Sequence, residues 1–142
     1  MTWNDQFTEL FQRCLKEYQS GNSDFNSYYS AEDSSFLKSI GYKPRELFDF
    51  VEDLADGGVP SASTALLIAA VRRDYFIVEQ NCEHSDKEFN RDDIPSFNEK
   101  LSDIAYLPRI IAKARAKLKG ELDPDLMFSC GGDRKFLSDL TT

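Results

Sequence analysis

An all-α fold is what this sequence predicts: a single domain over residues 1–142, built as a bundle of five to seven helices. Three observations carry that expectation. Apolar residues recur at three- and four-residue spacing in successive segments. Ser, Thr, Asp and Pro stand where those segments open, and Gly where they close. No segment alternates apolar with polar residues as a half-buried strand does, and no internal repeat or low-complexity tract interrupts the pattern.

The first helix opens at Thr2, with Asp5 as its capping partner, and places Phe7, Leu10, Phe11, Cys14, Leu15 and Tyr18 on one stripe before Gly21 ends it. Cys14 lies on that stripe and reads as core filler, not as a reactive thiol. Asn22 to Tyr29 reads as a loop. Ser30 and Asp33 cap a short second helix that runs through Ile40 and closes at Gly41. Pro44 suits the first turn of a third, with Leu47, Phe48, Val51 and Leu54 inward and Gly57-Gly58 as its stop. Its other face carries Glu46, Asp49, Glu52, Asp53 and Asp56, a solvated acidic face or a docking surface for a basic partner.

A fourth helix is expected from Ser61 or Ser63 to Gln80. Its first half, Ala65 to Val71, is apolar on nearly every side, which predicts burial. Arg72, Arg73 and Asp74 follow where it leaves the core. Residues 81–96 read as a polar surface connection, and Ser96 with Glu99 as the cap of a short helix to Ala105. Pro108 opens a basic helix that Gly120 closes, with Leu107, Ile110, Ile111, Ala114 and Leu118 on its inner side. The last helix takes Asp133 as N-cap and points Phe136, Leu137 and Leu140 inward.

Composition bounds the function classes. Hydrophobic residues make up 41% of the chain, with eleven Phe and six Tyr to fill a core. The longest apolar run falls far short of a membrane span, and the N-terminus lacks the basic and apolar blocks of a signal peptide. Three widely spaced cysteines argue against a disulfide framework, so the expected place is the cytoplasm. Cys82 and His84 supply two ligands where structural zinc takes four, so neither metal nor cofactor is expected. The net charge of -8 disfavours nucleic acid. That charge is uneven: residues 1–60 carry net -6 and residues 61–142 net -2.

Within the second half, residues 108–120 hold Arg109, Lys113, Arg115, Lys117 and Lys119 with no acidic residue. Lys117 and Lys119 suit the negative end of a helix dipole. Arg109 stands in the first turn, against the dipole, with Lys113 one turn later. Either acids such as Asp74, Asp103 or Asp133 neutralise them, or they flank a site for a carboxylate or phosphate. Arg72 and Arg73 pose the same choice, with Asp74 or Glu79 as internal partners. In Phe128-Ser129-Cys130-Gly131-Gly132-Asp133-Arg134, two glycines lead into a helix N-terminus whose N–H groups attract anions. That arrangement fits a plain turn, an anion cradle, or a reactive Cys130.

The segments VRRDYF (71–76), YLPRIIAKARAKLKGEL (106–122) and CGGDRKFL (130–137) resemble an uncharacterised bacterial family, domain of unknown function number five thousand and sixty-nine. The shared signature is Leu107, Pro108 and Arg109, followed by Lys113, Ala114 and Arg115. The resemblance covers mainly the C-terminal half. It implies a small bacterial cytosolic protein and brings no reaction with it.

Three function classes follow. The first is a non-enzymatic module that takes a small anion through Arg72, Arg73, Arg109, Lys113, Arg115 and Arg134 and the Gly131-Gly132 helix start. The second is an enzyme using Cys130 as nucleophile or Asp133 as general base in the same pocket. The third is an interaction protein, docking another subunit or a second copy of itself as a homodimer.

Overall fold

A computed structural model describes residues 1–128 and 130–141; the Ser129 of the predicted cradle lies outside them. The protein is mostly helical, with six α-helices and one two-stranded hairpin among the described residues. Its contacts gather in two compact units, Met1–His84 and Ser85–Thr142.

The first unit holds α1 (Trp3–Gln19), α2 (Ala31–Ser39), α3 (Pro44–Gly57) and α4 (Ala62–Val78). Local signals set these boundaries. The Thr2 carbonyl accepts the first helical bond from Gln6 N–H at 3.0 Å, and its own N–H donates to Asp5 Oδ2 at 3.2 Å. Ser30 Oγ accepts from Asp33 N–H at 3.1 Å while Asp33 Oδ2 accepts from Ser30 N–H at 3.0 Å, the reciprocal cap expected there. Gly58 takes the left-handed conformation that ends α3. α1 packs on α3 and α4, and between them Phe7, Leu10, Phe11, Cys14, Leu37, Ile40, Leu47 and Val51 form a buried core. Arg13 ties α1 to α2 with a fork on Asp33, 2.6 and 3.2 Å. Burial works against the Asp33 carboxylate, yet Arg13 and the Ser30 donors hold its pKa below the ordinary value.

α4 departs from expectation. Its buried positions are Ala65, Ala69, Arg72 and Phe76, one narrow stripe, while Leu67, Ile68, Val71, Ile77 and Val78 are exposed. An apolar composition all round predicted a buried helix. The unit supplies packing partners for one side alone, so the other faces water.

The second unit contains a hairpin of β1 (Lys100–Leu101) and β2 (Ile104–Ala105), then α5 (Leu107–Lys119) and α6 (Gly131–Thr141). The hairpin stands where a short helix to Ala105 was expected. Ser102 and Asp103 both adopt positive φ, 50° and 62°, the two-residue turn whose twist matches paired strands. Lys100 pairs with Ala105 and Leu101 with Ile104, antiparallel. The supposed cap survives only as a turn, Glu99 N–H to the Ser96 carbonyl at 3.3 Å. Phe89 joins Leu122 in an isolated bridge, fixed by Phe89 N–H to the Glu121 carbonyl at 2.6 Å.

Two helix faces in this unit also differ from the sequence reading. α5 buries Ile110, Lys113 and Ala116, so its inner side is turned toward a lysine and leaves Leu107, Ile111, Ala114 and Leu118 half-buried. α6 begins at Gly131, with the Cys130 carbonyl accepting its first helical bond from Arg134 N–H at 2.9 Å. Asp133 therefore sits inside the first turn and not at the cap. Phe136 is half-buried, but Leu137 and Leu140 are exposed.

Candidate functional site

The polar centre of the second unit is a buried ion pair. Lys113 Nζ donates to Asp133 Oδ2 at 2.7 Å, and the residues are 3% and 0% exposed. The other carboxylate oxygen, Oδ1, accepts from the Tyr106 hydroxyl at 2.6 Å. Tyr106 is the residue before α5 and takes a left-handed φ of 76°, which swings its ring toward α6. Gly132 admits it: a Cβ there would meet the Tyr106 hydroxyl at 3.1 Å. Desolvation, then the bond to the Asp133 carboxylate, pushes the Tyr106 phenol up to about 12, so it stays a donor at neutral pH.

Around this pair stand Cys130 and Arg109. Cys130 Sγ lies 3.9 Å from Lys113 Nζ. Arg109 Nη1 donates to the Pro95 carbonyl at 3.2 Å, and its guanidinium carbon lies 4.1 Å from the centre of the Phe97 ring. Its Nε is buried with no hydrogen-bond partner among the described residues. The Arg109 guanidinium works the other way on the Tyr106 phenol, lowering its pKa against the larger effects of burial and Asp133. A first-turn cation needed compensation. It finds a ring face and a carbonyl instead of a carboxylate.

The remaining predicted cations lie elsewhere. Arg115, two residues from Lys113, points about 200° away around α5 and is exposed. Gly131, Gly132 and Arg134 are exposed at the start of α6. Arg72 and Arg73 belong to the first unit. The buried Arg72 meets Glu46 of α3, Nη2 to Oε1 at 3.2 Å, so a carboxylate partner comes from the face read as solvated. Arg73 stacks over the Trp3 ring, 5.0 Å to its centre.

This geometry redraws the chemistry. Lys113 and Arg72 spend their charge on internal carboxylates. Asp133 accepts from two donors on its two oxygens and has no exposure, so it is not placed to take a proton from a substrate. Cys14 is buried, and desolvation pushes its thiol up to about 12. His84, which with Cys82 supplies too few ligands for a structural zinc, packs its ring at a tilt against Phe76 and directs Nε2 at the Lys38 carbonyl, 3.0 Å away. Among the described residues no three His, Cys, Asp or Glu side chains gather around a point a metal could occupy.

A second feature escaped the sequence reading. On α4, Leu67, Val71 and Val78 are 68%, 61% and 63% exposed. Spaced at four and seven residues, they share one side of the helix, with Ile68 and Ile77 flanking them. A contiguous exposed apolar strip marks a place where another molecule binds. The signal was present as the apolar run itself; what hid its meaning was the number of helices available to cover it. No helix among the described residues is long and apolar enough to cross a membrane.

The described residues define a helical framework with the ion pairs Arg72–Glu46 and Lys113–Asp133 in its interior and an uncovered apolar strip on α4. Comparison with known protein families, with curated proteins and with solved structures finds no match to this chain.

Proposed function

We propose that this chain is a non-enzymatic interaction module that presents the outer side of α4 to a protein partner. The observation that supports this reading is the exposure of Leu67, Val71 and Val78 along one strip. Leaving such side chains in water forgoes roughly 1.5–3 kcal/mol apiece that burial would supply. Methyl NMR with a soluble paramagnetic agent tests it on the full chain. The Leu67, Val71 and Val78 methyls are expected to broaden as exposed groups do, and those of Leu47 and Val51 to stay protected. If the α4 methyls are as protected as Val51, the strip is covered in solution and the reading fails.

A second reading keeps a small anion as ligand, and the partnerless Nε of Arg109 favours it. A carboxylate or phosphate would satisfy that donor, with the exposed Phe97 ring over the guanidinium face as the group that yields to it. A ligand present at 100 times its dissociation constant adds ~2.7 kcal/mol of stability. Thermal melting with phosphate, sulfate, nucleotides and carboxylic acids reads that shift, and Arg109→Lys should abolish it. No shift across the panel removes this reading.

A further inference from the structure

We infer that the α4 strip takes an amphipathic helix with basic flanks. The inference rests on reading that strip as a docking surface. Thr64, Leu67, Val71, Asp74 and Val78 follow one another at alternating three- and four-residue steps. That is the spacing a straight partner helix can track, side chain into gap. From Leu67 to Val78 the strip runs about 17 Å, three turns of helix. A strand would seek an unpaired sheet edge, which a helix face does not offer.

Charge sets the sign of the partner, because Asp74 lies on the same line as the apolar residues and Glu79 just beyond its end. The helix carries two arginines, but Arg72 is buried against Glu46 and Arg73 is folded over Trp3. The charged residues it leaves exposed are Asp74 and, at its end, Glu79. The first unit as a whole has seven basic and fourteen acidic side chains, net -7. A second copy of the chain would bring an equally acidic unit against this one, with no exposed Lys or Arg on its own α4 to offset the charge. An anionic lipid surface would be repelled for the same reason. Lys or Arg beside the apolar seam of a partner converts that repulsion into attraction.

The probe is an 18-residue peptide with Leu at the heptad seam and Lys on both flanks, set against its twin with Glu in place of Lys. Fluorescence anisotropy on the full chain is expected to show the Lys peptide binding at least tenfold more tightly than the Glu peptide. Val71→Glu should weaken it tenfold or more. That variant adds a negative charge, which strengthens diffuse attraction to a cation, so weakening reports on the apolar seam alone. Asp74→Lys with Glu79→Lys should weaken the Lys peptide and strengthen the Glu peptide, with unchanged circular dichroism showing that both variants fold. Absence of binding, equal binding of the two peptides, or indifference to Val71→Glu overturns the inference. So does a concentration-dependent dimer in sedimentation that Val71→Glu abolishes. In that case the strip still docks a protein but the partner is a second copy, whereas shielded α4 methyls would remove the docking surface itself.

Discussion

Lys113 is a lysine whose ammonium group lies 2.7 Å from a carboxylate with no exposure, and the consequences of removing it follow from that burial. Lys113→Met keeps the stem's volume but leaves Asp133 charged and without its cation, a loss of about 3–5 kcal/mol. Tyr106→Phe removes only one donor from the same carboxylate, about 1–3 kcal/mol. Lys135→Met, which breaks an ion pair exposed on both sides, should stay within about 0.5 kcal/mol. Urea denaturation followed in the helices α5 and α6 ranks the three; a Lys113→Met loss no larger than that of Lys135→Met would show the buried pair to be dispensable. The sequence disclosed that Arg109 and Lys113 needed compensation, and it held Asp133 among the candidates. It could not disclose that Lys113 points inward. The rotation of α5 is decided by a carboxylate twenty positions further along the chain, and hydrophobic spacing alone favoured a different side.

At the scale of elements, α1, α2 and α3 begin and end within a residue or two of their expected limits, because Thr2, Ser30, Pro44, Gly21, Gly41 and Gly58 act on their immediate neighbours. The hairpin was illegible for the opposite reason. Two-residue strands are too short to show alternation, and the turn is made by Ser102 and Asp103 without the glycine that usually marks it. α4 was legible as a helix but not in its burial, since composition cannot say how many neighbours will arrive. Gly41 shows how tightly the covered side is fitted. At φ +82° it is already in the region that disfavours a side chain, and a Cβ would lie 2.8 Å from Cβ and Cγ of Phe76. Gly41→Ala therefore meets a backbone penalty of about 1–2 kcal/mol before the clash with α4 is added. The expected outcome is a lowered melting temperature, with greater loss of amide protection at Phe76 than at Leu47. Protection unchanged at Phe76 would show that α4 is not seated against this turn.

Across the whole molecule, the two units hold themselves together by different means. The first buries more than a dozen apolar side chains, among them Phe7, Phe11, Tyr42, Phe48 and Phe76. Among the described residues of the second, the buried apolar ones are Ile110 and Ala116, beside the Lys113–Asp133 pair. Apolar burial stabilises by about 25 cal/mol per Å², whereas a buried ion pair returns little beyond its own desolvation cost. The second unit should accordingly open at lower free energy than the first. Amide hydrogen exchange on the full chain is expected to show α5 and α6 exchanging through openings that leave the inner positions of α1 and α3 protected. Lys113→Met sharpens the test, because a variant whose damage is confined to the second unit should accelerate exchange in α5 and α6 while leaving Leu10, Phe11 and Leu47 unchanged. Equal protection in both units, or acceleration that spreads to α1, would mean that the chain opens as one cooperative body and that the sparse interior of residues 85–142 does not set its stability.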